Sequence, residues 1–185
     1  MLSQEVREKL AKEFSETFSL ITNESDRGSA IVGAAILEDA LAVALGKYLI
    51  PTPTSQDSLL KGPSATFSMK IDLAYRVGMI RSSVREFLHQ VRKIRNDFAH
   101  SPSDLSFESQ SMSARVNNLC QLSEDFLDNF VGELQSHQMY IGSETSGSNL
   151  LKIAGPRIAF DTVISIHRAG LEYLYGEVEP IEPLA

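Results

Sequence analysis

The sequence predicts an all-α protein, a single helical bundle of about six helices. Three observations carry that expectation. Apolar residues recur at the three- and four-residue spacing that lines one face of a helix. Alternating β-branched runs, the mark of half-buried strands, do not occur. The length of 185 residues and the 43% apolar content suit one folded domain, spanning 1–185. No repeat of ~20–50 residues appears, which argues against a solenoid.

The elements follow in order. The first helix covers roughly 3–22. The second covers about 26–50, with Ser25 as its N-cap and Asp26 favoured by the helix dipole; Pro51 cannot continue it. Residues 51–65 form a Pro-, Ser- and Thr-rich loop. The third helix runs from about 66 to 77 and stops at Gly78, the expected C-terminal cap residue. The fourth runs from 84 to about 99, its start marked by Ser83-Val84-Arg85-Glu86, which reads as a capping box. The fifth occupies about 109–134 with a break midway. A second loop is expected at 142–149. The sixth helix opens on Pro156, a favoured first residue, and ends at Gly176; the acidic tail 177–185 is expected to fray.

Composition narrows the function classes. The net charge is −7, so broad electrostatic capture of DNA is not expected. Cys120 is the single cysteine, which excludes an internal disulfide and a cysteine-built zinc site. The N-terminal stretch lacks the apolar core of a signal peptide, and the most apolar stretch, around 30–50, is broken by Glu38, Asp39 and Lys47. A soluble, cytoplasmic protein without a membrane span is the expectation. No metal-ligand spacing appears, and no cofactor is expected.

The charge is unevenly spread. Residues 70–100 hold seven basic and three acidic side chains, a local +4, which leaves −11 for the rest. The simplest reading is a solvated helix face; the sharper one is an anion or nucleic-acid surface on the third and fourth helices. Phe67, Tyr75, Phe87 and Phe98 lie among these cations, but several fit core positions, which weakens the case for a base-stacking platform.

The stretch 91–100, VRKIRNDFAH, is the most informative. At ~100° per residue, Val84, Leu88, Val91 and Phe98 share a face, with Phe87 at its edge and Arg95 in its middle. An arginine there either snorkels from an edge or is inward and paired. On the second helix Ile31, Ala35, Ala42, Leu45 and Leu49 form a stripe that contains Glu38. A buried Glu38–Arg95 pair is therefore expected, with Asp39 as the substitute partner. Arg95, Asn96 and His100 suit phosphodiester chemistry: the guanidinium stabilises phosphoryl charge, and the imidazole moves protons near neutral pH. Five residues of helix is about 500°, so the two side chains converge only if the helix ends near Ala99.

RNDFAH resembles the R-N-x-x-x-H signature of the HEPN superfamily, small helical domains that include dimeric metal-independent ribonucleases and inactive relatives. That likeness implies a HEPN-like bundle, with Arg95 and His100 as the catalytic pair and Asn96 in support. A second resemblance covers roughly 24–109. The segments ESDRGSAIVGAAILEDAL (24–41), LLKGPSATFSMKIDLAYRVGMI (59–80) and VRKIRNDFAHSPSDLSFES (91–109) resemble the mannitol operon repressor family of bacteria. It implies a repressor-like regulator of sugar uptake that acts through a protein partner, such as another transcription factor, rather than on DNA. A homodimer is the expected assembly. RNA enters as a partner only under the alternative, a toxin- or defence-like endoribonuclease.

The remaining residues read structurally. His89, His137 and His167 are scattered, and His167 falls on an apolar face with Phe160, Val163, Ile164, Leu171 and Leu174, as a core histidine. Glu124, Asp125 and Asp128 form a solvated acidic run, and Cys120 reads as a small core residue. No helix-turn-helix is discernible between the third and fourth helices.

Overall fold

A computed structural model describes residues 3–52, 57–100, 105–127, 152–176 and 180–182. Among them the protein is an all-α helical bundle. Its helices are α1 (Gln4–Thr22), α2 (Asp26–Tyr48), α3 (Ser58–Lys61), α4 (Phe67–Arg76), α5 (Ser82–His100), α6 (Gln110–Leu122) and α7 (Pro156–Gly176).

Local chemistry sets most of the ends. Ser3, Ser25 and Thr66 cap α1, α2 and α4, each side-chain oxygen accepting from the amide three residues on. Leu49 leaves α2 in an extended conformation, two residues short of the expected end, because Ile50 precedes Pro51 and cannot stay helical. The loop 51–65 contains one turn of helix, α3, capped by Asp57. Gly78 has φ +76°, and the amides of Gly78 and Met79 return to Tyr75 O (3.0 Å) and Ala74 O (2.9 Å), the paired bonds of a Schellman closure. α5 starts at Ser82, so Ser83 already lies inside the helix and the expected capping box is not its start; the Arg81 carbonyl makes the first bond, to the Arg85 amide. The break expected within 109–134 falls at Ser123. Asp128, His137 and the loop 142–149 lie outside the described residues. Of the tail expected to fray, residue 181 is docked: the Ile181 amide donates to Tyr48 O at 2.9 Å.

α2 is the central helix, touching α1, α3, α4, α5 and α7. α7 lies across α1, α2 and α6. The core is continuous, with Leu37, Leu41, Phe87, Leu88, Ile94, Phe98, Phe107 and Phe160 all essentially inaccessible. Gly33 lets α2 and α7 approach closely, since a Cβ there would stand 3.3 Å from Ile164 Cγ2.

Two expected stripes are displaced. α2 buries Ala30, Gly33, Ala34, Leu37, Ala40, Leu41, Ala44 and Leu45, whereas Ile31 and Ala35 are exposed and Ala42 is half-buried. The physical reason is that α2 is apolar nearly all round, so periodicity cannot select its inner face. On α5 the buried set is Val84, Phe87, Leu88, Val91, Ile94 and Phe98. Ile94 takes the inward place, and Arg95 is left at the edge, half-buried.

Gly78 has open space around the position a Cβ would occupy, so Gly78→Ala tests backbone strain alone. It is expected to cost about 1 kcal/mol, read as a lowered denaturation midpoint with an unchanged slope.

Candidate functional site

The basic segment lies on α4 and α5, and three of its seven Lys and Arg side chains, Lys70, Arg81 and Arg85, pair with neighbouring carboxylates. Asp72 Oδ1 accepts from Arg85 Nε (2.8 Å) and Nη2 (2.6 Å) and from His89 Nε2 (3.2 Å). The Arg85 hydrogen bonds, reinforced by His89, hold the Asp72 carboxyl below the usual carboxylate range. Arg85 also lies over the exposed Tyr75 ring. Arg81 pairs with Asp125 at 3.5 Å. Phe67, Phe87 and Phe98 are core residues, so Tyr75 alone of the four aromatics is open to solvent. The arrangement is a solvated helical face with internal ion pairs.

The expected Glu38–Arg95 pair does not form. Glu38 Oε1 accepts from Lys70 Nζ at 2.8 Å, and the Lys70 side chain is only 8% exposed. Lys70 on α4 reaches Glu38 because α4 packs against α2 on that side. Asp39 is exposed and is no substitute partner for Arg95. Arg95 makes no hydrogen bond or ion pair among the described residues; half-buried at the stripe's edge, it fits the snorkelling alternative.

Nor do Arg95 and His100 converge within one chain. Convergence required the helix to end near Ala99, but α5 runs through His100. The two residues therefore stay about 140° apart around the axis. Asn96 is half-buried beside Arg95, and His100 is exposed.

The most elaborate polar constellation lies elsewhere, where the end of α1, the start of α2, the 105–108 segment and the start of α7 meet. Arg157 donates through Nε to Asp161 Oδ2 (2.9 Å), through Nη1 to Asp26 Oδ1 (2.9 Å), and through Nη2 to the carbonyls of Ile21 (2.8 Å) and Glu24 (3.0 Å). Asp161 is fully buried; its Oδ1 accepts from Ser29 Oγ at 2.5 Å and its Oδ2 also from Thr22 Oγ1 at 3.3 Å. Asp26 Oδ2 accepts from Ser106 Oγ (2.7 Å) and the Phe107 amide (3.0 Å). Burial alone would raise the Asp26 pKa, but the Phe107, Ser106 and Arg157 contacts outweigh it and lower the value. Every carboxylate oxygen in the cluster has at least one partner, so the cluster is paired within itself.

Sequence reasoning placed Asp26 as a helix-start residue but missed Arg157, Asp161 and Lys70. The signal for Asp161 was present: a carboxylate between Phe160 and the apolar Val163 and Ile164, with an arginine four residues earlier on the same helix.

His167 is a core histidine, as expected. It stacks on Phe87 with ring centroids 3.6 Å apart, and its Nε2 lies 2.9 Å from Ser123 Oγ, which itself donates to Leu119 O. Burial, aided by the nearby Arg81 charge, pushes its pKa down to about 3. Cys120 is likewise buried, which raises its thiol pKa to about 12 and leaves no reactive thiolate near neutral pH.

Two shallow concavities stand out among the described residues. One, of about 40 Å³, lies against Arg81, Phe126 and His167; the other, of about 100 Å³, lies between α1 and α7. Both fall below the ~300 Å³ at which small-molecule pockets begin. Among the described residues no three His, Cys, Asp or Glu side chains gather where a metal ion could be held. α2 is the one described helix long and apolar enough to cross a membrane, and half of that stretch is buried inside the bundle.

No family model matches the chain, and no curated protein or solved structure matches it.

Two outcomes are expected. Arg157→Ala leaves Asp161 buried without its cation and should cost about 3–5 kcal/mol, read by chemical denaturation. For His167, the folded pKa lies below the unfolded value of 6.5, so its contribution is intact above pH 6.5 and is lost as the unfolded chain gains a proton below it. Stability should fall by about 1.4 kcal/mol per pH unit below pH 6.5. The carboxylates with lowered pKa values add their losses only below pH ~4. In His167→Phe the slope between pH 6.5 and 4.5 should largely vanish.

Proposed function

We propose that this protein is a cytoplasmic, repressor-like regulator of a bacterial sugar-uptake operon that works through a protein partner. One observation supports the reading above the rest. The three segments that resemble the mannitol operon repressor family are joined to one another by their own side chains. Glu38 of the first segment binds Lys70 of the second, and Asp26 of the first binds Ser106 and Phe107 of the third. A likeness spread over three stretches thus corresponds to one connected set of interactions. The net charge of −7 and the carboxylates that engage Lys70, Arg81 and Arg85 disfavour DNA as the direct target.

The alternative, a HEPN-type endoribonuclease, draws on one specific feature, the half-buried Arg95 with no partner among the described residues, next to Asn96. Because Arg95 and His100 diverge in one chain, that reading needs a second chain to complete the site.

The test has two arms. Deleting the gene should raise transcripts of a sugar-uptake operon, while the purified protein gives no specific gel shift with that operon's promoter at ~0.15 M salt. A specific operator complex, or unchanged transcripts, overturns the proposal. In parallel, wild type and His100→Ala are incubated with RNA; cleavage by wild type that His100→Ala loses establishes the nuclease instead.

A further inference from the structure

The outer face of α2 is apolar along most of its length. Ile31, Ala35, Val43 and Gly46 are exposed, and Val32, Ile36 and Ala42 are half-buried between them. Val43 is 54% exposed and Ile50, just past the helix end, is 47% exposed. In a monomer this is a long strip of solvated hydrocarbon on the helix that forms the centre of the fold. The charges on the strip are few and regularly placed. Asp39 lies one turn before Val43, and Lys47 lies one turn after it. Asp39 is exposed and makes no ion pair among the described residues.

We infer that the outer face of α2 is an interface between two copies of this chain, packed antiparallel about a twofold axis through Val43. A twofold contact is isologous: residues at equal distances before and after the axis meet each other's copies. The spacing fits this rule. Asp39 of each copy comes opposite Lys47 of the other, twice over, and Val43 meets its own copy. Apolar contact is central and opposite charges flank it, as interface composition requires. A parallel pairing would instead set Asp39 against Asp39 and Lys47 against Lys47. The self-complementary order of acid, valine and base therefore selects both the occupant and the direction. This surface is separate from the repressor-like reading and stands whether or not that reading holds.

The experiment is sedimentation equilibrium on the full chain, with circular dichroism to verify folding of each variant. Wild type is expected to be a dimer. Val43→Glu, at an exposed position, should sediment as a folded monomer. Asp39→Lys should weaken the dimer about tenfold or more, because like charges then face each other at both ends of the contact. The double variant Asp39→Lys with Lys47→Asp restores opposite charges and should recover dimerisation. A monomeric wild type, a dimer that tolerates Val43→Glu, or a double variant weaker than Asp39→Lys alone overturns the inference.

Discussion

The structure depends on one half-buried cation. Arg157 bonds two carboxylates and two backbone carbonyls at the place where the end of α1, the start of α2 and the start of α7 converge. A guanidinium suits this role because its fixed fork of donors can reach several acceptors at once. The Ile21 and Glu24 carbonyls that it binds lie at the end of α1 and in the turn that follows, where the regular helical bonding stops. Asp161 is in turn fixed by Ser29 and Thr22, so the cluster sets the angle at which three helices meet. Phe107, sandwiched between Phe98 and Phe160, roofs the cluster and screens it from water. Such a cluster specifies an arrangement more than it adds net stability, since desolvating its charges offsets much of their attraction.

The helices were legible in the sequence because their signals are local. Ser25, Gly78 and Pro156 act on their immediate neighbours, and all three stand where the sequence puts them. Orientation was less legible. α2 is apolar on nearly every side, so one wheel position could not be told from the next, and Ile31 and Ala35 lie outside rather than inside. The misplaced stripe led directly to the wrong partner for Glu38. Lys70 was the answer, but it belongs to another helix and no spacing within α2 points to it. On α5 the omission of Ile94 had the same effect, moving the apparent centre of the stripe onto Arg95.

The candidate site shows how far a motif can be carried without geometry. Arg95, Asn96 and His100 have the chemistry for a phosphodiester, but a helix that continues through His100 keeps them on different faces. The basic segment is likewise less than its composition implies, because Asp72 and Asp125 take up Arg85, His89 and Arg81. The features that remain distinctive among the described residues are an apolar outer face on the central helix and a polar cluster whose groups bind one another.

The Arg157 cluster also bears on how the chain folds. Its contacts join residues more than 130 positions apart, with Arg157 reaching back to Asp26 and Ile21. Until α7 has left the ribosome, the ends of α1 and α2 lack the group that joins them. The Ser29 hydroxyl and the Glu24 carbonyl then lack the partners that α7 supplies. Contacts of such long range slow the search for the native state, so the nascent chain exposes the apolar face of α2 for most of its synthesis. The last described helix is therefore the one that completes the core.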